Sequence, residues 1–222
     1  MHLKQLCLLF TVLGVVASTP RFVSPSVRTY CPNVTVATNF TMNDLVGTWY
    51  EVSRTPNQWE LGKCTRVHHI LSENGTEISL HWEQLVPNRW ELEYSYALSI
   101  ARHIPGLPSA NLLLQFIQQG AYPMPYTILD IVPGSYYVAH TCYAFPYRWY
   151  PGGFLYVEMA WVMSRTPYMN PISRELRRLT LEQSGVITSW MKNVDQNNCA
   201  AAYRELGNNT FLATNGDRRK TA

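Results

Sequence analysis

The sequence is short of charge. Asp, Glu, Lys and Arg make up 15% of its 222 residues, and the formal net charge is +3. Basic residues are dense only at the very end, Arg218-Arg219-Lys220. There is no basic face of the kind that binds nucleic acid, and the tail reads as a solvated end. Long apolar runs are also missing after residue 16. The single early run, Leu6 to Val16, follows Lys4 and precedes the small residues Ala17-Ser18. That is the build of a secretory signal over residues 1–18. It is short for a bilayer span, and Pro20-Arg21 end it; a signal anchor is the alternative. Asn208 to Ala222 is polar, so no hydrophobic tail marks a GPI anchor. The expectation is a secreted, extracellular protein with no transmembrane segment or GPI anchor.

Catalytic signatures are absent too. No His-Glu-x-x-His, Gly-x-Ser-x-Gly or Walker sequence occurs. His68 and His69 are adjacent on an expected strand, so they point to opposite faces and make a poor metal pair. His81, His103 and His140 are isolated. No metal, no cofactor and no enzyme activity is expected.

Apolar and aromatic residues are plentiful, at 46% and 13%. Of five cysteines, Cys7 falls in the signal. The remaining Cys31, Cys64, Cys142 and Cys199 imply two disulfides in an oxidising compartment, with three pairings open. Four glycosylation sequons, at Asn33, Asn39, Asn74 and Asn208, agree with secretion and predict surface positions.

Residues 19–44, rich in Pro, Thr, Asn and Ser, read as an extended arm ending in a short turn at Asn43-Asp44-Leu45. Strands are expected over 46–54, 64–72, 76–86, 90–99, 111–117, 125–131, 136–142 and 154–165. Asn74-Gly75 is a hairpin signal. In the fourth strand Trp90, Leu92, Tyr94, Tyr96 and Leu98 alternate with Glu91, Glu93, Ser95, Ala97 and Ser99, one face for a core and one for water. Ile172, Leu176 and Leu179, with Leu181 as a further candidate, then recur at helical spacing over 171–184, with Gly185 as a stop. A short ninth strand is expected within 186–194, and a flexible polar tail over 200–222. Eight short strands followed by one helix suggest an all-β fold: an eight-stranded antiparallel up-and-down β-barrel with one C-terminal α-helix packed outside. A sandwich fits the strand count almost as well. In a barrel, alternation offers Trp82, Trp90, Leu92, Tyr94, Tyr96, Leu114, Phe116, Tyr137 and Met159 as cavity residues, although a one-residue change of register exchanges the faces. The aromatic loop 143–150 and Trp59 are the candidate mouth.

Gly47-Thr48-Trp49-Tyr50-Glu51-Val52, answered far downstream by Ala160-Trp161 and Arg165-Thr166-Pro167, resembles the lipocalin family, most closely its apolipoprotein D and insect Lazarillo branch. The resemblance covers about Cys31 to Cys199, and the four cysteines and the helix fall in the matching order. It implies one barrel domain over 45–199, pairings Cys31–Cys142 and Cys64–Cys199, and a closed barrel end built from Gly47, Trp49 and Arg165. Each such disulfide closes a loop of more than 100 residues, stabilising by roughly 4–5 kcal/mol on chain entropy alone. The motif at the turn near 130 is imperfect. Asp130 is present, but Ile131-Val132-Pro133 stands where the family has Thr-Asp-Tyr.

The resemblance implies a carrier of a small hydrophobic ligand, a fatty acid, sterol-like lipid, retinoid or pigment, with a role in lipid transport or oxidative-stress protection. With all four mature cysteines paired, a thiolate nucleophile is not available. The alternatives are an extracellular interaction protein or pigment-complex subunit with a filled barrel, and an antioxidant acting through an exposed methionine, Met124 or Met163. A cell-surface receptor and a homo-oligomer remain open as partners.

Overall fold

A computed structural model of the chain describes residues 26–28, 30–89, 91–117, 122–146 and 153–206. The signal expected at 1–18, Trp90, the loop aromatics Tyr147, Trp149 and Tyr150, and the Asn208 sequon lie outside the described residues.

The strands are β1 (Ser26–Arg28), β2 (Gly47–Arg54), β3 (Lys63–Leu71), β4 (Glu77–Pro87), β5 (Leu92–His103), β6 (Asn111–Phe116), β7 (Met124–Val132), β8 (Tyr136–Pro146), β9 (Phe154–Ser164) and β10 (Lys192–Asn193). From β2 to β9 each strand pairs antiparallel with the next, and β9 pairs back onto β2. Eight strands thus close into an up-and-down barrel with no free edge. β1 continues the sheet outside β9, and β10 lies on β2. The helix α1 (Pro171–Gln183) packs on the outer face; Asn170 caps it by accepting from the Ile172 N–H at 2.8 Å.

The core has two layers. Inside the barrel, Trp49, Val67, Ile78, Leu80, Trp82, Leu112, Leu114, Tyr126, Tyr137 and Met159 form one buried cluster. Outside it, Val52, Leu129, Val138, Val162, Met169, Leu181 and Val186 form a second, beneath α1 and the segment that follows it. A bulge in β2 between Glu51 and Ser53 joins the layers. Val52 points outward by plain alternation from Trp49, and the extra residue keeps Ser53 outside, opposite Val162, and returns Arg54 to the inner face, opposite Trp161.

Within the extended arm, Ser26–Arg28 pairs with Tyr156 to Glu158 of β9. Three expectations are corrected. The ninth strand shrinks to Lys192–Asn193. Residues 199–206 are helical rather than a flexible tail. There the Tyr203 ring lies under the Arg66 guanidinium, 4.1 Å from its centroid, and its hydroxyl donates to Cys64 O at 2.9 Å. Lastly, the apolar stripe of α1 is turned outward. Ile172 is 72% exposed, while Leu181 is the residue of the helix that is buried. On the side turned to the barrel, Arg177 donates to Asp130 at 3.2 Å and to the Tyr136 hydroxyl.

Cys31–Cys142 and Cys64–Cys199 are both bonded. Asn33, Asn39 and Asn74 are exposed.

Candidate functional site

One end of the barrel is closed by backbone and side chains together. The 3-10 turn Met42–Leu45 crosses it, held by the Thr41 N–H donating to Asp44 Oδ2 at 2.8 Å. The Trp49 indole N–H donates to Leu45 O at 2.6 Å. Arg165 stacks 3.5 Å from the Trp49 ring centroid and donates to Thr48 O at 3.1 Å and Val46 O at 2.8 Å. A guanidinium over an indole, with its donors spent on strand-end carbonyls, is a structural plug. Gly47 has φ +102°, and a Cβ there would sit 2.9 Å from Arg165 Nη1. Both the backbone and the cation require glycine. Asp130 is not part of this plug. It faces outward and ties the β7–β8 corner to α1 through Tyr136 and Arg177.

Of the expected cavity residues, Trp82, Leu114, Phe116, Tyr137 and Met159 face the interior cluster. Tyr94 and Tyr96 do not: each is 48% exposed, and Leu92, in step with them, shares their outer face. Tyr94 donates to Glu83 at 3.0 Å, and Tyr96 meets His81 at 2.7 Å. The reason is register. Trp82 pairs with Ala97, so the inner face of β5 consists of Ala97, Ser99 and Ala101. The correction makes the interior roomier on this wall and moves the aromatics outside. Met163 is fully buried and is therefore not an exposed methionine. Trp59 is exposed on the loop 55–62, at the end opposite the plug.

Several inward residues escaped the alternation reading: Glu51, Arg54, His69, Tyr126 and Trp161. Glu51 was legible in principle, since it lies two residues from Trp49 on one strand and must share its face. Arg54 was not, because the bulge that brings it inward leaves no sequence mark. Arg54 donates to Glu51 Oε1 at 3.1 Å, Thr65 Oγ1 at 3.2 Å and Gly62 O at 2.7 Å. From the loop, Glu60 accepts from the Trp161 indole N–H at 3.0 Å and from Asn57. The loop 55–62 is thereby folded onto the open end by charged hydrogen bonds.

These groups sit in a buried, aromatic interior. The Trp49 and Tyr137 rings meet edge to face at 4.8 Å, Tyr126 and Trp161 at 5.7 Å, and the Tyr126 and Tyr137 hydroxyls at 3.2 Å. Burial, with the charge of Glu60 adding to it and Arg54 opposing, pushes the Glu51 carboxyl up to about 8. Burial pulls the His69 imidazole down to about 3. His69 Nδ1 lies 3.0 Å from Leu45 O. A carbonyl can only accept, so Nδ1 carries the proton and Nε2 presents a lone pair. Two buried polar atoms here, Glu51 Oε2 and His69 Nε2, have no hydrogen-bond partner. Two clefts outside the barrel flank α1; Arg165 and Arg177, which line the first, are committed to the partners described above.

No protein-family model matches the chain. Apolipoprotein D of Rattus norvegicus is 29% identical over 173 residues, and that of Mus musculus is 27% identical over 169; each match covers 76% of this chain and 84% of the relative. Among solved structures, insecticyanin from the tobacco hornworm Manduca sexta superposes with a TM-score of 0.64 at 18% identity, over 80% of this chain and 92% of its own. Lobster apocrustacyanin A1 does so with a TM-score of 0.60 at 16% identity, over 81% and 93%.

Proposed function

From a lipocalin fold with apolipoprotein D homologues, we propose that this chain is a secreted carrier of a small hydrophobic ligand held inside the barrel. The observation that carries the reading is the barrel itself: eight strands closed on each other, plugged at one end by Trp49 and Arg165, with an apolar inner face. Trp82, Leu114, Phe116, Tyr137 and Met159 form the proposed lining, joined by Tyr126 and Trp161. Ala97, Ser99 and Ala101 form the wall against which a ligand lies. Tyr94, Tyr96 and Leu92 take no part. Burial of apolar surface at roughly 25 cal/mol per Å2, less ordering costs, is enough for sub-micromolar affinity. Two disulfides and three exposed sequons support the extracellular assignment. The reading is of a carrier, not an enzyme, and roles in lipid transport or oxidative-stress protection belong to it as proposals.

The test is a titration of intrinsic tryptophan fluorescence with fatty acids, retinol and biliverdin. Trp82 and Trp161 face the interior, so a bound ligand quenches them saturably. Flat titrations with every member of the panel would overturn the carrier. They would favour the filled barrel, for which the column of rings Trp49, Tyr137, Tyr126 and Trp161 is the supporting observation.

A further inference from the structure

The carrier reading leaves the polar end of the ligand undefined, and the two unpartnered atoms inside the barrel define it. Buried polar groups are almost always paired, and an exception calls for a partner. His69 lies near the plug with its ring centroid 5.9 Å from that of Tyr137, and its Nε2 is an acceptor awaiting a donor. Glu51 Oε2 stands on the same inner face, further toward the open end, where its other oxygen is already engaged by Arg54. We propose that the ligand is a neutral apolar molecule bearing a hydroxyl group, received by His69 Nε2, and that the barrel discriminates against the carboxylate of the same apolar body.

The titratable groups facing this interior are Glu51, Glu60, Arg54, His69, Tyr126, Tyr137 and Tyr143, with Arg165 below the Trp49 ring. Among the described residues, Arg54 is the guanidinium within reach of the open part, and its donors go to Glu51, Thr65 and Gly62. Glu60 adds a second carboxylate at the mouth, occupied by Trp161 and Asn57. A ligand carboxylate entering here meets two carboxyl groups and one committed cation. At the plug end it finds a lone pair on His69 and no proton to accept. The burial that favours the protonated form of Glu51 also disfavours the charged form of a ligand carboxylate taken into the same interior. A hydroxyl is uncharged and can donate to His69 Nε2 at the plug end, which a carboxylate cannot do.

The inference rests on the carrier reading, and its test separates the two. Retinol, retinal and retinoate share one apolar body and differ in the head: donor and acceptor, acceptor only, and anion. Fluorescence titration of the full-length mature protein near neutral pH is expected to give retinol binding about tenfold tighter than retinoate, the order expected from one unmet buried hydrogen bond plus a desolvated charge, with retinal between. Calorimetry in buffers of different ionisation enthalpy is expected to show proton uptake with retinoate and none with retinol. The variant His69→Phe is expected to lower retinol affinity about tenfold and leave retinoate unchanged. Should that variant not fold, the three ligands on the unaltered protein still decide. Retinoate binding as tightly as retinol, without proton uptake, would overturn the inference and leave the carrier standing. No saturable response to any of the three would overturn both.

Discussion

Glu51 makes the barrel's stability depend on pH in an unusual direction. Its carboxyl is fully buried, and its ionisation moves from an ordinary value of 4.5 to about 8 on folding, through burial first and the charge of Glu60 second, with Arg54 opposing. The folded chain therefore holds this proton more tightly than the unfolded chain. The stabilisation is fully present below about pH 4.5 and is lost as pH rises to about 8. Within that window each pH unit costs the folded state about 1.4 kcal/mol. Raising the pH from about 6 to about 9 should thus remove roughly 2–3 kcal/mol, levelling off near 8. Glu51→Gln keeps an acceptor for Arg54 at the position of Oε1 and has no proton to lose. Urea unfolding with the disulfides intact, at several values across that range, gives free energies for both proteins. Titrations common to both cancel, so the difference between the profiles isolates residue 51. The gap is expected to open by roughly 2–3 kcal/mol in favour of the variant as pH rises. Parallel profiles would mean instead that the carboxyl is hydrated, or held ionised by Arg54, and that residue 51 holds no proton on folding.

Three further outcomes follow from the geometry. Gly47→Ala forces a Cβ to 2.9 Å from Arg165 Nη1 at φ +102°, so the stack on Trp49 is lost; thermal unfolding should show a loss of about 1–3 kcal/mol, with a change in tryptophan emission. Replacing Cys64 and Cys199 together by serine should cost about 2–5 kcal/mol in urea unfolding and release Tyr203 from Arg66, read as faster amide exchange over residues 199–206. Trp82→Ala should weaken retinol binding about tenfold or more, whereas Tyr96→Phe, altered on the outer face, should leave it within about twofold; the opposite pattern would restore Tyr96 to the cavity.

Strand number, hairpin order and the plugged end were legible because each has a local cause. Glycine at positive φ, alternation along the strands, Asn-Gly turns and a tryptophan answered by a distant arginine are written in the residues that perform them. The outward stripe of α1 was not legible. Ile172, Leu176 and Leu179 recur with the period of a packed helix, yet the side turned to the barrel carries Leu181 and Arg177, which reaches Asp130, and Asp130 faces outward because β7 is irregular between Ile128 and Asp130. The inner polar network was hidden for the same kind of reason. Arg54 joins Glu51 through a bulge, and Glu60 arrives on a loop; neither position is fixed by periodicity.

The reversal of β5 has the most functional weight, and its cause is the length of one turn. Period-2 alternation says which residues share a face and leaves open which face is inside. Trp49 settles this for β2, because its ring carries the plug. The assignment then passes from strand to strand through the pairing: Trp49 to Val67, Val67 to Trp82, Trp82 to Ala97. At the last step Pro87 pairs with Leu92, with four positions between them. An even loop pairs even-numbered residues of β4 with even-numbered residues of β5 only across a break, and without one it matches Trp82 to an odd-numbered partner. Trp82 and Tyr96 therefore cannot both face inward across an unbroken β4–β5 ladder. A turn shorter by one residue would carry Tyr94 and Tyr96 into the barrel and expel Ala97 and Ser99, filling the wall on which the proposed ligand lies. Whether this barrel has room for a ligand is thus decided by the count of residues between Pro87 and Leu92 more than by the aromatic content of the strand that follows.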